Sequence, residues 1–506
     1  MTENPEWDDE TKSRINPFDW NSKSVGFGEI MGNGGFDVVI GNPPYVRQET
    51  LGEFKDYFQK HYEVYQGTAD LYAYFIERAI SLLKKGGLFS YIVANKWMRA
   101  NYGEPLRRWM KSQHIEEIID FGDLPVFETA TTYPCVIRIK RAVIPVKTGI
   151  QKHQPFSVTR VKTLKFDNLS KYVAENSYTV NKTALGDKGW SLVDKQSQAL
   201  LNKLQKGGIP LGEYVKGEIY YGIKTGLNEA FVIDKVTRKH LITEDPKSEE
   251  LIKPFLVGKD IKRFEPPPKG RYLILIPKGW TRTQMSHSCE SRNPGTTGFR
   301  VKHGMTETGA WRWFSESYPA IAAHLEPFAE KGKKRYDKGE YWWELRTCDY
   351  YAEFEKPKII YAEIATRGQF TLDTSNFYSD TTSYIMPVDS KYLLSILNSS
   401  LWTFIFSRTS SEIRGGFYRW KRQYMWNLPI CTIDFNNASE KAIHDKLVSL
   451  VDRMLELHKK KASLPPSAER EKIEREIAIT DEKTDEIVYE LYGITEEEKK
   501  IIDDKL

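Results

Sequence analysis

One segment constrains the fold of this chain more than any other. Phe36–Gly41 reads FDVVIG and is followed directly by Asn42-Pro43-Pro44-Tyr45. Three consecutive β-branched residues beside a glycine are typical of a buried strand in a parallel sheet. Two prolines end such a strand abruptly, because proline has no N–H to donate to a neighbouring strand. The sequence therefore predicts a strand with a rigid turn at its carboxyl end, where open α/β sheets place their ligands.

The residues up to about 140 alternate between helical and strand patterns. Thr68 can cap a helix that Lys84-Lys85-Gly86-Gly87 would end. Its predicted apolar stripe consists of Leu71, Phe75, Ile76, Ala79, Leu82 and Leu83. Further strands are predicted at Leu88–Val93, Ile115–Phe121 and Thr132–Lys140, with a short helix near Glu104–Ser112. This alternation predicts an α/β fold with a parallel sheet and helices on its faces.

The rest of the chain differs in character. Residues 190–435 combine short strands, turns, dense aromatic residues and clustered basic residues, whereas residues 436–506 show two helical stripes with Pro465-Pro466 between them. The predicted organisation is a polar approach segment over 1–35, an α/β domain over 36–141, a linker over 142–189, a mixed α/β domain over 190–435 and a helical hairpin over 436–506.

Two segments look foreign to their surroundings. Val143–Phe156 interrupts an expected passage from a strand to a linker, and Ser286–Thr306 has no apolar period. Both resemble translated short intergenic repeats of the kind found in bacterial reading frames. We expect inserted surface loops, where long insertions cost little loop entropy. The alternative is that both are ordinary polar loops.

Composition excludes several classes of protein. With 40% hydrophobic residues the chain can form sizeable cores, and four cysteines, no two within four residues of each other, exclude a disulfide framework and a Cys-x-x-Cys metal knuckle. The nine histidines show no paired spacing, so no metal is expected. Tyr392–Ser407 is too interrupted by polar residues to span a membrane, and the acidic first ten residues lack a signal-peptide core. We therefore expect a cytoplasmic protein without a membrane or metal partner, and the net charge of +5 permits an anionic partner.

The tetrapeptide Asn42–Tyr45 suits methylation of an exocyclic base amine. The nitrogen lone pair must leave conjugation with the ring, and two acceptors on the two N–H groups favour that change. The Asn42 side-chain oxygen and the Pro43 carbonyl are the predicted acceptors, with Pro44 stiffening the main chain. Tyr45 offers a face on which a flipped base can stack. A proline-rich turn without catalytic function is the alternative.

Longer motifs carry a resemblance to a known family. FDVVIGNPPYV resembles motif IV of the adenine amino-methyltransferases, and the surrounding segments are similar to TaqI-type methyltransferases and their type IIG restriction–modification relatives. The similar segments are INPFDW (Ile15–Trp20), TADLYAYFIERAISLLKKGGLFSYIVANKWM (Thr68–Met98), FGDLPVFETATTYPCVIRIKR (Phe121–Arg141), IYYGIKTGLNEAFVID (Ile219–Asp234), LIKPFLVGKDIKRF (Leu251–Phe264), YYAEFEKPKIIYAEI (Tyr350–Ile364), YLLSILNSSLWTFIF (Tyr392–Phe406), GGFYRWKRQYMWNLPI (Gly415–Ile430) and IVYELYG (Ile487–Gly493). NPPY also occurs in methyltransferases of release-factor glutamine and of ribosomal RNA, which are usually shorter and lack the second domain.

The resemblance implies a fold, a cofactor and an activity. It implies the C-terminal part of a Rossmann-like methyltransferase sheet, a TaqI-like specificity domain, S-adenosylmethionine as cofactor, and adenine-specific DNA methyltransferase activity of class EC 2.1.1.72. Phe127 matches the region that supplies a second aromatic wall to the base pocket, although a place in the packing core is an equal alternative.

The family's cofactor motif would precede motif IV, and no such motif is visible in the 35 residues before Phe36. The glycines between Gly26 and Gly35 lie before the strand rather than after one, so they predict a flexible approach and leave the cofactor-binding residues unknown. No nuclease motif is visible either. We therefore expect a truncated or split enzyme.

Basic and aromatic residues alternate near the end of the specificity region. Between Arg408 and Tyr424 the sequence has five basic residues and one acidic residue, with four aromatic residues interleaved. This pattern predicts phosphate neutralisation with stacking contacts, and the alternative is a solvated basic loop. The predicted DNA-binding residues are Arg414, Arg419, Lys421 and Arg422, together with Lys224, Thr225 and Asn228 in a polar turn between two strands.

Two hypotheses follow. The first is an adenine-N6 DNA methyltransferase that acts on double-stranded DNA. The second is a DNA-specificity module without activity of its own, whose partner would be a separate N-terminal methyltransferase half that binds the cofactor.

Overall fold

The computed structural model describes residues 20–23, 26–127, 132–142, 155–187, 189–290, 306–410, 412–413 and 415–503. The chain divides into two compact units. The first holds the described residues up to Asn202 and those from Ser407 to Gly416, and the second holds Lys203–Phe406 and the described residues from Phe417 onward. Both units mix helices and strands, as the α/β prediction requires.

A six-stranded sheet forms the centre of the first unit. Its strands are β1 (Phe36–Gly41), β2 (Leu83–Ala94), β3 (His114–Asp120), β4 (Pro134–Lys140), β5 (Pro155–Arg160) and β6 (Tyr178–Asn181). The helices in this part of the chain are α1 (Gly28–Gly32), α2 (Lys55–His61), α3 (Tyr72–Ser81), α4 (Glu104–Met110), α5 (Leu169–Asn176) and α6 (Lys195–Lys206).

The strands of this sheet lie in the order β1-β2-β4-β3-β5-β6. β1 is parallel to β2 and β3 is parallel to β5, but β4 is antiparallel to both of its neighbours, and β6 is antiparallel to β5. The prediction of a wholly parallel sheet is therefore wrong. A parallel connection needs a crossover, usually through a helix, and the described residues between β3 and β4 contain none.

β1 is the edge strand of the sheet. It forms over the predicted residues and pairs with β2 alone among the described strands. Its Val38 side chain is 53% exposed and its Ile40 side chain 74% exposed. The expected burial of this strand is therefore wrong, because Val38 and Ile40 share one face of β1 and the described residues leave that face largely open.

The helix–strand pair after β1 forms with shifted boundaries. α3 begins at Tyr72 rather than Thr68, and β2 begins at Leu83, so it includes the Lys-Lys-Gly-Gly segment that was predicted as a helix end. Phe75 was assigned to the apolar stripe but is 40% exposed. The buried face of α3 instead includes Tyr72, Ala73, Tyr74, Ile76, Ala79 and Ile80.

The two predicted inserts fall largely outside the described residues. Residues 143–154 and 291–305 are not described. Phe156 belongs to β5 and is 3% exposed, so the first insert cannot extend as far as predicted. Likewise, residues 286–290 belong to a helix rather than to a loop.

The rest of the chain adds many short elements. The strands are β7 (Ile209–Pro210), β8 (Tyr220–Tyr221), β9 (Val232–Asp234), β10 (Ile252–Leu256), β11 (Arg271–Ile274), β12 (Lys358–Ala362), β13 (Ile364–Ala365), β14 (Phe370–Asp373), β15 (Tyr378–Ser379), β16 (Ser383–Met386), β17 (Glu412–Ile413), β18 (Phe417–Arg419) and β19 (Pro429–Ile430). The helices are α7 (Leu211–Tyr214), α8 (Asn228–Phe231), α9 (Lys235–Glu244), α10 (Trp280–Glu290), α11 (Glu307–Ser317), α12 (Pro319–Leu325), α13 (Ala329–Lys334), α14 (Lys391–Leu397), α15 (Ser400–Thr409), α16 (Arg422–Met425), α17 (Ala438–Ser463), α18 (Ala468–Leu491) and α19 (Glu496–Asp503).

The second unit contains two four-stranded sheets, ordered β15-β10-β11-β9 and β14-β12-β16-β8. All five residues of β12 are buried. α17 and α18 form the predicted helical hairpin around Pro465-Pro466, and it docks on the unit through pairs such as Ser400 with Asp485, 2.6 Å apart. None of the helices in the described part of the chain is long and apolar enough to cross a membrane.

Candidate active site and nucleic-acid interface

Asn42-Pro43-Pro44-Tyr45 leaves β1 at the carboxyl edge of the first sheet. Pro43 is buried, whereas Asn42 and Pro44 are exposed. The Asn42 amide makes no hydrogen bond to another described residue. Its donor and acceptor groups are therefore free to engage a substrate, while the buried proline holds the main chain beside it.

Two contacts hold the Tyr45 ring in place. Its hydroxyl donates to the carbonyl of Ile92 on β2 (3.3 Å), and its ring centroid lies 6.3 Å from that of buried Tyr72. Burial raises the pKa of Tyr45 to about 12, so the hydroxyl stays protonated at physiological pH. The half-buried ring is thus a neutral, preoriented surface rather than an acid or a base.

The turn after Tyr45 is tied to the start of α3. The Leu71 N–H donates to the Val46 carbonyl (3.0 Å). Asp70 is half-buried, and burial raises the pKa of its carboxyl although the backbone N–H of Gln48 donates to it. These contacts hold the tetrapeptide at both ends, by β1 on one side and by α3 on the other.

Sequence reasoning missed a polar pair at the same edge. The Asn95 side chain, just after β2, donates to the carboxylate of Asp120 at the end of β3 (2.8 Å), and the Gly122 N–H donates to the same oxygen (3.0 Å). The available signal was a polar residue at the end of each strand. Pairing could not be inferred without the strand order.

Phe127 lies in the loop that begins at this pair. It is half-buried and is absent from the buried core residues. β1, β2 and β3 run in the same direction, so their carboxyl ends, and hence Asn42 and the start of the Phe127 loop, lie at one edge of the sheet. β1 and β3 are three strand spacings apart in the sheet, which is about 14 Å.

The polar turn of the second unit differs from its predicted role at one residue. Thr225 is 2% exposed and its hydroxyl is hydrogen-bonded to the Asn228 side chain, so it supports the turn instead of facing solvent. Lys224 is exposed and pairs with Asp337 over 2.6 Å. Of this set, Lys224 and Asn228 retain polar side chains toward solvent.

Two residues of the basic stretch approach the same carboxylate. Arg419 and Lys421 approach Glu363 at 3.1 and 3.6 Å. Exposed Arg422 lies over the Trp426 ring (4.8 Å) and donates to the carbonyl of Gly217 (3.3 Å). Arg414 lies outside the described residues. Trp420, one of the interleaved aromatics, is 1% exposed and stacks on Phe406, so it belongs to the core.

The glycines before β1 do not form a cofactor cradle. Gly34 and Gly35 have positive φ angles, and a Cβ on Gly35 would lie 2.3 Å from the Leu82 carbonyl oxygen, so they serve a tight turn against the end of α3. α1 also lies here, where a flexible segment was predicted. These residues do not fit S-adenosylmethionine, and we derive no step through it. In the described part of the chain, no group of three His, Cys, Asp or Glu side chains is placed to hold a metal ion.

Two family profiles match the chain. The profile "Eco57I restriction-modification methylase" matches residues 2–127, and "TaqI-like C-terminal specificity domain" matches residues 253–430. The first match makes residues 2–127 similar to Eco57I-type methylases, and the second makes residues 253–430 similar to the TaqI-like specificity domain. The predicted resemblance is thereby confirmed. The methylase region contains Asn42–Tyr45 and ends at Phe127, and the TaqI-like domain contains Arg419, Lys421 and Arg422.

Curated relatives are restriction–modification proteins. The type II methyltransferase M.PaeR7I of Pseudomonas aeruginosa is 27% identical over 418 residues, which cover 78% of this chain and 65% of the relative. The type II restriction enzyme and methyltransferase RM.Eco57I of Escherichia coli is 23% identical, and the match covers 91% of this chain and 45% of the relative. This chain thus spans less than two thirds of the length of both.

A solved structure shares the fold. The type IIL restriction-modification enzyme MmeI, solved in complex with DNA, matches with a TM-score of 0.54 and 13% identity over 90% of this chain and 54% of that one. At this identity the match supports the fold alone.

Proposed function

We propose that this chain carries the target-base site and the DNA-recognition part of an adenine-N6 DNA methyltransferase. The observation that carries the proposal is the arrangement at the carboxyl end of β1. An exposed, unengaged Asn42 amide stands beside a buried proline and a fixed, half-buried Tyr45 ring. Similarity to type II methyltransferases supports the class of reaction.

The chemistry assigned to the chain's own residues is the holding of one amine. The Asn42 side-chain oxygen and the Pro43 carbonyl accept the two N–H groups of the flipped adenine. That geometry draws the nitrogen lone pair out of the ring system and makes it nucleophilic. The Tyr45 ring supports the base from one side and Phe127 from the other. No residue of this set has to act as a strong base, because the amine can lose its proton after transfer.

S-adenosylmethionine as methyl donor is part of the proposal, since the relatives are methyltransferases. The described residues before β1 do not form its site, whereas the outer side of β1 is open. An apolar strand edge of this kind is a template for another strand. We therefore propose that a polypeptide bearing the cofactor-binding strands pairs with β1 and continues a Rossmann-like methyltransferase sheet.

A methylation assay tests this function. Labelled methyl incorporation into mixed-sequence duplex DNA is measured for the chain with and without a co-expressed cofactor-binding half. We expect incorporation only with that half, and Asn42→Ala should lower it at least about a hundredfold, since one preorganised hydrogen-bond partner is worth roughly 3 kcal/mol in a transition state. Near-normal turnover of Asn42→Ala would overturn the role of Asn42.

The second hypothesis, a specificity module without activity, is favoured by the poor fit of the described glycines to the cofactor. It predicts DNA binding with no methyl incorporation, whichever cofactor-binding half is supplied.

A control for docking on β1 is Val38→Lys with Ile40→Lys, which should block complementation but leave DNA binding unchanged. Complementation by this double variant at the wild-type level would mean that the partner does not use the β1 edge.

A further inference from the structure

An exposed Lys-Tyr-Lys set follows helix α13 in the second unit. Lys334, Tyr336 and Lys338 are exposed, whereas the intervening Arg335 is 7% exposed and Asp337 is partly buried. Tyr336 is 99% exposed, more than any other large hydrophobic side chain of the described residues. Both faces of its ring are therefore open to solvent.

The inward residues hold this segment in place. The buried guanidinium of Arg335 donates to the backbone carbonyls of Trp342 (2.7 Å), Glu344 (2.8 Å) and Thr225. It also lies over the Phe231 ring at 4.5 Å. The segment is therefore fastened to its own loop and to the turn that contains Thr225.

A second anchor lies one residue after Tyr336. Asp337 pairs with Lys224 at 2.6 Å and with Arg346 at 3.3 Å. The turn at Gly226 packs so closely that a Cβ there would lie 3.2 Å from the Asp337 Cβ. Because these contacts hold the Arg335 and Asp337 side chains inward, the Tyr336 side chain points outward from a backbone that is fixed on both sides.

The outward lysines carry charge that no acidic side chain of the described residues neutralises. Lys334 forms no ion pair with a described residue, and the Lys338 ammonium donates to the backbone carbonyl of Lys333 (2.5 Å). By contrast, Lys331 and Lys333 on the same helix are paired with Glu229 at 2.8 Å and Glu330 at 3.2 Å. The unneutralised cations thus flank the exposed ring.

We propose that Lys334, Tyr336 and Lys338 form a DNA contact of the specificity domain, with the two ammonium groups on phosphates and the Tyr336 ring against sugars and base edges in a groove. The inference rests on the proposed DNA recognition and adds the residues that perform it. Free cations beside an exposed aromatic ring suit duplex DNA, since cations neutralise phosphates and side chains in a groove contact sugars and base edges.

The test is the salt dependence of DNA binding by the full chain, with a fluorescently labelled mixed-sequence duplex as probe. Lys334→Gln with Lys338→Gln should lower the log–log salt slope by about 1.8, because each lost phosphate contact removes about 0.9. The matched control is Lys472→Gln with Lys483→Gln, which removes two exposed lysines of α18 and should leave the slope unchanged. If both double variants keep the wild-type slope, the two lysines do not face DNA and the proposal is overturned.

The ring is tested separately. Tyr336→Ala should weaken binding about tenfold at an unchanged slope, because one groove contact is lost, whereas Tyr336→Phe should stay within about twofold of wild type. Thermal unfolding should be unaffected in both, since the side chain is solvent-exposed. Wild-type affinity in Tyr336→Ala would overturn the role of the ring while DNA recognition stands. Absence of DNA binding by the wild-type chain would overturn the proposed function itself.

Discussion

The Asn95 amide and the Asp120 carboxylate are hydrogen-bonded over 2.8 Å and join the ends of β2 and β3, two strands that are separated in the sheet by β4. Because the Gly122 N–H uses the same carboxylate oxygen, the pair also fixes the first residues of the loop that leads to Phe127. The polar contact thus spans the edge of the sheet where the tetrapeptide lies.

Removing the acceptor should destabilise the first unit. Asp120→Ala leaves the Asn95 amide and the Gly122 N–H without a partner and should lower the free energy of unfolding by about 1–2 kcal/mol. Asp120→Asn keeps a side-chain oxygen for both donors and should lose less than about half of that amount. Urea denaturation of the two variants measures the difference. Equal losses would mean that the hydrogen bonds do not account for the effect.

Tyr45 should act through its ring. In the complemented enzyme Tyr45→Ala should reduce methyl transfer roughly tenfold to a hundredfold, the amount expected for one lost base–aromatic contact. Tyr45→Phe keeps the ring and loses only the bond to Ile92. Because burial raises the pKa of Tyr45 to about 12, wild type and Tyr45→Phe should have the same pH–rate profile between about pH 7 and 9. A profile that changes shape in Tyr45→Phe would show that the hydroxyl takes part in proton transfer.

Sequence reasoning succeeded where the pattern was local. β-Branched residues followed by two prolines were sufficient to predict β1 and its turn. It failed where the outcome depended on distant neighbours. Val38 and Ile40 are exposed because the described residues leave the face of β1 that carries them open, and the antiparallel direction of β4 follows from a connection without a helix among its described residues.

The candidate site shows the same division. The tetrapeptide and its chemical rationale nominate Asn42 and Tyr45, and their roles stay predictions. Thr225 could not be recognised as buried, because its position depends on Arg335, which is more than a hundred residues away along the chain. Nothing in the sequence around Tyr336 singles it out, and only its 99% exposure in the structure distinguishes it.

The basic stretch should contribute to DNA affinity through Arg419 and Arg422. Arg419→Gln with Arg422→Gln should lower the salt slope by up to about 1.8, and less if Arg419 stays engaged with Glu363, 3.1 Å away. Lys472→Gln with Lys483→Gln again serves as the control for two lost charges. An unchanged slope in the arginine variant would mean that these side chains face away from the duplex.

Lys358 and Asp373 form an ion pair with 0% side-chain exposure on both sides, 2.6 Å apart between β12 and β14. Asp373 also accepts the N–H groups of Ser375 and Phe377. Lys358→Met or Asp373→Asn should each cost about 3–5 kcal/mol of unfolding free energy, because each leaves a buried charge unpaired. The double variant should cost less than the sum, and an additive double-mutant cycle would show that the two charges are not coupled.

His458 on α17 should make stability depend on pH. The ring is 8% exposed, and burial lowers its pKa to about 4, with Lys461 and Arg263 adding to the decrease and Asp481 opposing it. Glu265 lies 3.7 Å away, too far for a hydrogen bond, and is itself partly exposed, so it does not restore the usual value. The folded chain therefore keeps His458 neutral at pH values where the unfolded chain binds a proton.

Unfolding then takes up a proton between the unfolded pKa near 6.5 and the folded pKa of about 4. The free energy of unfolding therefore keeps its full value above pH 6.5. It decreases by up to about 3 kcal/mol as the pH falls toward 4. Denaturation of wild type and His458→Met at pH 7 and at pH 4.5 measures it, and the variant should lose less stability on acidification. His240→Gln, at an exposed histidine, is the matched control for the loss of one imidazole. If His458→Met loses as much unfolding free energy between pH 7 and pH 4.5 as wild type does, the buried ring does not cause the pH dependence.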